Sequence, residues 1–108
     1  MSEINQTINE LNAPYSLTNE EIKTEFLDRI DNYATKISMN SSLNHFFTRI
    51  NGYSKHLFDI ENSDVLDFFN YLNSKQDMTL SSKKLHFGHI KRFLIALFNR
   101  YNNYFSSL

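Results

Sequence analysis

SSKKLHFGHIKRFLIALFNRYNNY, residues 81–104, is the stretch whose reading decides the fold. At about 100° per residue, Phe87, Ile90, Phe93, Leu94, Leu97, Phe98 and Tyr101 gather on one side. Ser81, Lys84, Gly88, Lys91, Arg92 and Asn99 gather on the other. From Met78 to Leu108 there is no Asp or Glu, against Lys83, Lys84, Lys91, Arg92 and Arg100. The spacing predicts a long helix over about 81–104, apolar on one side and purely basic on the other. One face suits a core and the other a polyanion.

Working outward, the chain has 108 residues, enough for one domain with one core. Ten Phe and six Tyr let a small core bury much area, while two Gly and one Pro are too few for an all-β domain with frequent turns. There is no cysteine, hence no disulfide, thiolate metal site or Cys nucleophile. No apolar run approaches the roughly 18 residues of a membrane span, and the N-terminus has no signal-peptide pattern. The expectation is a soluble protein of a reducing cytoplasm with no membrane partner.

The formal net charge is −1, but it is segregated. Residues 1–31 carry −5, 32–58 carry +3 (Lys36, Arg49, Lys55), 59–77 carry −4 and 78–108 carry +5. Alternation of this kind can build one basic face on a neutral protein.

Residues 1–17, polar and containing Pro14, read as an N-terminal arm. Thr18-Asn19-Glu20-Glu21 is a capping box opening a first helix, about 18–38, with Leu17 and Ile22 as its hydrophobic staple. Its predicted inward face is Ile22, Phe26, Ile30, Tyr33 and Ile37. Asn40–Ser42 offer caps for a second helix, about 41–57, buried through Leu43, Phe46, Phe47, Ile50, Tyr53 and Leu57. Its other side carries Ser41, His45, Thr48, Arg49, Gly52, Lys55 and His56, with no acid. A third helix, about 63–74, buries Val65, Leu66, Phe68, Phe69 and Leu72 and shows Asp64 and Asp67 outward. The fourth is the helix first quoted. Short connections make this an all-α, compact bundle of four helices. With helices 2 and 4 side by side, their basic faces merge.

Three segments carry a resemblance. Ser42-Leu43…Phe46…Ile50…Tyr53 forms one stripe, Asp64-Val65-Leu66-Asp67-Phe68-Phe69-Asn70-Tyr71-Leu72 follows, and Phe87-Gly88-His89-Ile90-Lys91-Arg92-Phe93-Leu94 closes the pattern. In order and spacing they resemble the N-terminal core-binding (SAM-like) domain of tyrosine recombinases and phage integrases, over about residues 20–104. The resemblance implies a domain of a longer, bacterial or phage-encoded protein. With a following catalytic domain it would clamp double-stranded DNA at a core site for integration and recombination, beside neighbouring protomers. Helices 2 and 4 would approach the DNA. The family's catalytic Arg, His and Tyr belong to that following domain, so Tyr101 and Tyr104 do not match its nucleophile.

The candidate DNA-binding residues are Lys84, Lys91, Arg92, Gly88 and Ser81 on helix 4, with Arg49, Lys55, Thr48, Gly52 and His45 on helix 2. The cations would neutralise phosphates and position the protein without reading sequence. A glycine inside a helix costs roughly 1 kcal/mol against alanine, which a close approach to ligand or tight helix packing would justify. His86 and His89 sit at i, i+3 but lack a third metal ligand nearby, so no metal or other cofactor is expected. No GxSxG, P-loop or HExxH pattern occurs, and no catalysis is expected from this chain. The alternative is a small helical protein-interaction module using the acidic faces of helices 1 and 3. Exposed apolar residues such as Leu85 and Ile95 on helix 4 would support it if they formed a patch.

Overall fold

The computed structural model describes residues 17–52 and 54–101, and every regular element among them is helical. Helix α1 spans Asn19–Asp28, α2 Tyr33–Gly52, α3 Asn62–Ser74 and α4 Leu80–Tyr101, with a single 3-10 turn at Leu57–Asp59. Residues 1–16 of the expected arm, Tyr53, Tyr104 and the tail 105–108 lie outside the described residues.

The first helix begins as its capping box dictates. Thr18 Oγ accepts from the Glu21 amide, and the Glu21 carboxylate accepts from the Thr18 amide, both at 3.1 Å. It ends ten residues later, well short of the expected residue 38. Asn32, not the Asn40–Ser42 cluster, starts α2: its side-chain oxygen accepts from the Thr35 amide at 2.9 Å. The periodicity that extended helix 1 through Tyr33 and Ile37 is a surface coincidence, since these are 75% and 52% exposed. The buried stripe of α2 begins at Met39 and continues through Leu43, Phe46, Phe47 and Ile50. Ser41 and Ser42 therefore lie in the middle of a 20-residue helix.

Helix α2 also ends earlier than expected. The Lys55 amide reaches back to the Ile50 carbonyl and the Ser54 amide to Asn51, with Ser54 at φ 55°. This is a left-handed C-terminal cap in which serine takes the place usually held by glycine. Gly52 is thus the final residue of α2, not a mid-helix glycine, and Lys55 and His56 belong to the following loop. Asn19 pins that loop to α1 by donating to the Lys55 carbonyl and accepting from the Leu57 amide. His56 holds it further, donating to the Leu17 carbonyl and accepting from the Phe58 amide.

The core is aromatic. Phe46, Phe47, Phe58, Phe68 and Phe93 are all fully buried. They meet edge to face or tilted: Phe46–Phe68 at 5.1 Å, Phe47–Phe93 at 5.7 Å and Phe26–Phe93 at 5.0 Å between centroids. Such pairs add about 0.5–1.5 kcal/mol beyond their buried area. Through them α4 is locked against α2, the most extensive helix–helix seam, while α1 and α3 pack on its flanks. Leu66, expected inward on α3, is 60% exposed; Phe68 and Leu72 fill the core instead. No described helix is long and apolar enough to cross a membrane.

Candidate nucleic-acid interface

The long helix presents the face its sequence dictates. Thr79 caps it, accepting from the Ser82 amide at 3.1 Å, so Ser81 sits exposed in the first turn and is not the cap. Ile90, Phe93 and Leu97 face the core, while Lys84, Gly88, Lys91, Arg92 and Asn99 are exposed on the opposite side. Lys84, Lys91 and Arg92 form no ion pair with any described residue. A Cβ built on Gly88 meets nothing within 4 Å, so packing inside the domain does not require that glycine. The same outer surface also carries apolar side chains, Leu85 and Ile95.

Helix α2 lies beside α4, but Arg49 on it and Lys55 in the loop that follows have a different fate. Arg49 Nε donates to Asp67 Oδ2 of α3 at 3.0 Å, and its guanidinium lies over the Tyr71 ring at 4.9 Å. Lys55 Nζ donates to Asp64 Oδ2 at 2.8 Å. That same oxygen accepts from the Glu61 amide at 2.8 Å and closes the first turn of α3. The hydrogen bond with Asp64 is the main cause that raises the Lys55 ammonium above its usual 10.5. Loss of hydration pushes the Asp64 carboxyl up, but the bonds from Lys55 and the Glu61 amide together outweigh it and hold it below 3.8. Helix α2 carries no acid of its own; α3 supplies one to Arg49 and one to Lys55 of the loop that follows, while Lys36 in the first turn of α2 forms no ion pair with a described residue. Thr48 remains exposed on α2, and His45 is half-buried.

Sequence reasoning missed the seam between the two helices. Ser42 is completely buried. Its Oγ lies 2.6 Å from His86 Nδ1 and 2.8 Å from His89 Nδ1. The His45 ring packs on His86 at 4.8 Å. Burial, then the neighbouring His45 and His89, holds the His86 imidazole below its ordinary 6.5; burial, then Arg92, does the same to His89. A signal for this was present. Ser42 falls on the stripe Met39, Ser42, Phe46, and His86 on the stripe His86, Ile90, Phe93, Leu97, so each apolar face carries one polar residue in need of a partner. Three histidines converge here, yet no group of described His, Cys, Asp or Glu side chains is placed to hold a metal ion.

The expected site residues thus fall into two sets. Lys84, Gly88, Lys91, Arg92 and Ser81 share one helix surface. Arg49 and Lys55 turn toward α3, and Gly52 ends α2. Comparison of this chain with protein-family models, with curated proteins and with solved structures finds no match.

Proposed function

We propose that this chain is a double-stranded DNA-binding domain whose contact surface is the outer face of α4, in the manner of the core-binding domain of tyrosine recombinases and integrases that its sequence resembles. One observation carries the reading. Lys84, Lys91 and Arg92 stand exposed on a helix without a single acidic residue, and no described carboxylate pairs with them. Cations placed this way exchange condensed counterions for phosphate contacts and bind without sequence readout. Gly88 lies among them over open space, where a phosphodiester backbone can approach closely. His45 and Thr48 flank the seam from α2 as the secondary contact. With few contacts, binding by this domain is weak and salt-sensitive.

The test is an amide NMR titration of the labelled protein with a generic duplex at low and then moderate salt. Shifts confined to residues 81–92 and the adjoining 45–48, reversed by salt, are the expected result. Absence of shifts at low salt refutes the reading.

A second reading, a protein-interaction module, gains from the exposure of Leu85 (49%) and Ile95 (60%) on α4. Its acidic surfaces fare less well, because Asp67 is engaged by Arg49 of α2, Asp64 by Lys55 of the following loop and Glu25 by arginines. Shifts with a partner protein but none with duplex DNA favour it.

A further inference from the structure

Away from this face, a groove of about 280 Å³ runs between α1 and the C-terminal half of α4. Its floor is apolar: Ile22, Phe93 and Leu97 are buried and Phe26 is half-buried. Its rim is cationic. Arg29, Arg92 and Arg100 line it with one carboxylate, Glu25, giving a net rim charge of +2. Glu25 Oε1 is shared by the Arg29 and Arg100 guanidiniums, at 3.2 and 2.5 Å. Arg100 Nε also donates to the Tyr101 hydroxyl, which leans on the other Glu25 oxygen at 3.5 Å. This web fixes two arginines in place. The third, Arg92, has no acidic partner among the described residues.

Each part of the groove selects one part of a ligand. An apolar floor excludes a nucleotide phosphate backbone and favours an aliphatic or aromatic body. A rim with surplus guanidinium charge favours an anion, and guanidinium matches carboxylate in shape as well as sign. The volume lies at the lower edge of the roughly 300–1,000 Å³ usual for small-molecule sites, too small for a folded partner.

We infer that the α1–α4 groove binds a small amphipathic carboxylate, with the carboxylate on Arg92 and the apolar body along Phe26, Phe93 and Leu97. The inference does not rest on DNA binding, although Arg92 is common to both surfaces.

Sodium decanoate, kept below its micelle concentration, is the probe, and 1-decanol is its uncharged counterpart. Both are titrated into the full labelled chain. Decanoate gives saturable amide shifts confined to residues 22–30 and 92–101. Decanol binds at least about tenfold more weakly, since it lacks the charge-assisted hydrogen bond. Arg92→Gln weakens decanoate by about tenfold and leaves decanol unchanged. Ala96 is exposed on the groove wall, so Ala96→Trp fills the space, abolishes both and leaves the melting temperature near that of the parent. Shifts spread over the whole molecule, equal affinity for decanol, or no saturable shift each overturn the inference. So does unaltered decanoate binding in Arg92→Gln, a surface substitution that does not depend on how Ala96→Trp folds.

Discussion

Helices α2 and α4 are written in similar ingredients and end in different states. Both are long, both bury phenylalanines, and both bear cations and histidines with no acid of their own on the outer face. On α4 those cations stay exposed. Arg49 near the end of α2 and Lys55 in the loop after it are claimed by α3, through Asp67 and Asp64. A charge run along one helix is therefore not a charged surface until the neighbours have been placed. The acids that neutralise α2 lie 18 and 9 residues away in sequence.

The largest effect expected from this contrast is on binding. Lys91→Glu with Arg92→Glu removes duplex binding, a loss of at least about tenfold at low salt, with little change in melting temperature. Arg49→Glu costs far less, because that guanidinium is already engaged. Equal losses in the two variants, read by fluorescence anisotropy, break the comparison.

Next in size comes the seam where the helices meet. Ser42→Ala leaves Nδ1 of buried His86 and of half-buried His89 without their partner and destabilises by about 1–3 kcal/mol in urea unfolding. Of similar scale but opposite sign, Gly88→Ala raises stability by about 1 kcal/mol, because the added methyl meets nothing in the domain. If duplex binding weakens at the same time, the close-approach role of Gly88 stands; unchanged binding removes Gly88 from the contact surface.

The pH response divides the two regions. His86 and His89 have folded pKa values below the unfolded 6.5, so the unfolded chain binds more protons under acid conditions. Their contribution to stability is complete above pH 6.5 and is lost as pH falls through the folded values. Asp64 behaves likewise from a lower start, present above 3.8 and lost as pH falls through its folded value. Lys55, raised above 10.5, contributes below that pH and loses its contribution as pH rises through the folded value. Denaturation midpoints between pH 7 and 5 should fall in the parent and flatten in a His86→Asn, His89→Asn variant. An equally steep profile in that variant excludes the seam as the origin.

The smallest effect is the most discriminating. Asp67→Asn releases Arg49 from its ion pair at a stability cost below about 1 kcal/mol. If α3 is what silences α2, duplex affinity rises by up to about threefold and the salt dependence steepens.

Much of the architecture was legible before any coordinates. The capping box at Thr18, the apolar stripes of α2 and α4 and the basic outer face of α4 all follow from local spacing, and the structure repeats them, except that Phe98, expected inward on α4, is exposed. The errors fell where two local signals competed. Asn32 and the Asn40–Ser42 cluster both resemble helix starts, and apolar residues at 33 and 37 continued the stripe of α1 by coincidence. Only tertiary burial, which places Met39 inward and Tyr33 outward, decides between them. The ion pairs of Arg49 and Lys55 were illegible for a different reason. They join separate elements, and periodicity within one helix says nothing about what faces it.

The buried serine has one more consequence. Ser42 owns a single hydroxyl proton and stands between two imidazole nitrogens at 2.6 and 2.8 Å. When it donates to His86 Nδ1, His89 donates to its oxygen from a protonated Nδ1; when it turns to His89, the roles reverse; when it turns to the Ser38 carbonyl at 3.4 Å, both rings donate. Whichever partner takes the hydroxyl proton, at least one ring holds its own proton on Nδ1, so a serine on α2 constrains the tautomers of two histidines on α4. His89 is only partly buried and lies near Arg92, whose charge it feels. The proton arrangement of the α2–α4 seam is therefore a property of both helices together, and neither ring's tautomer is set by its own helix alone.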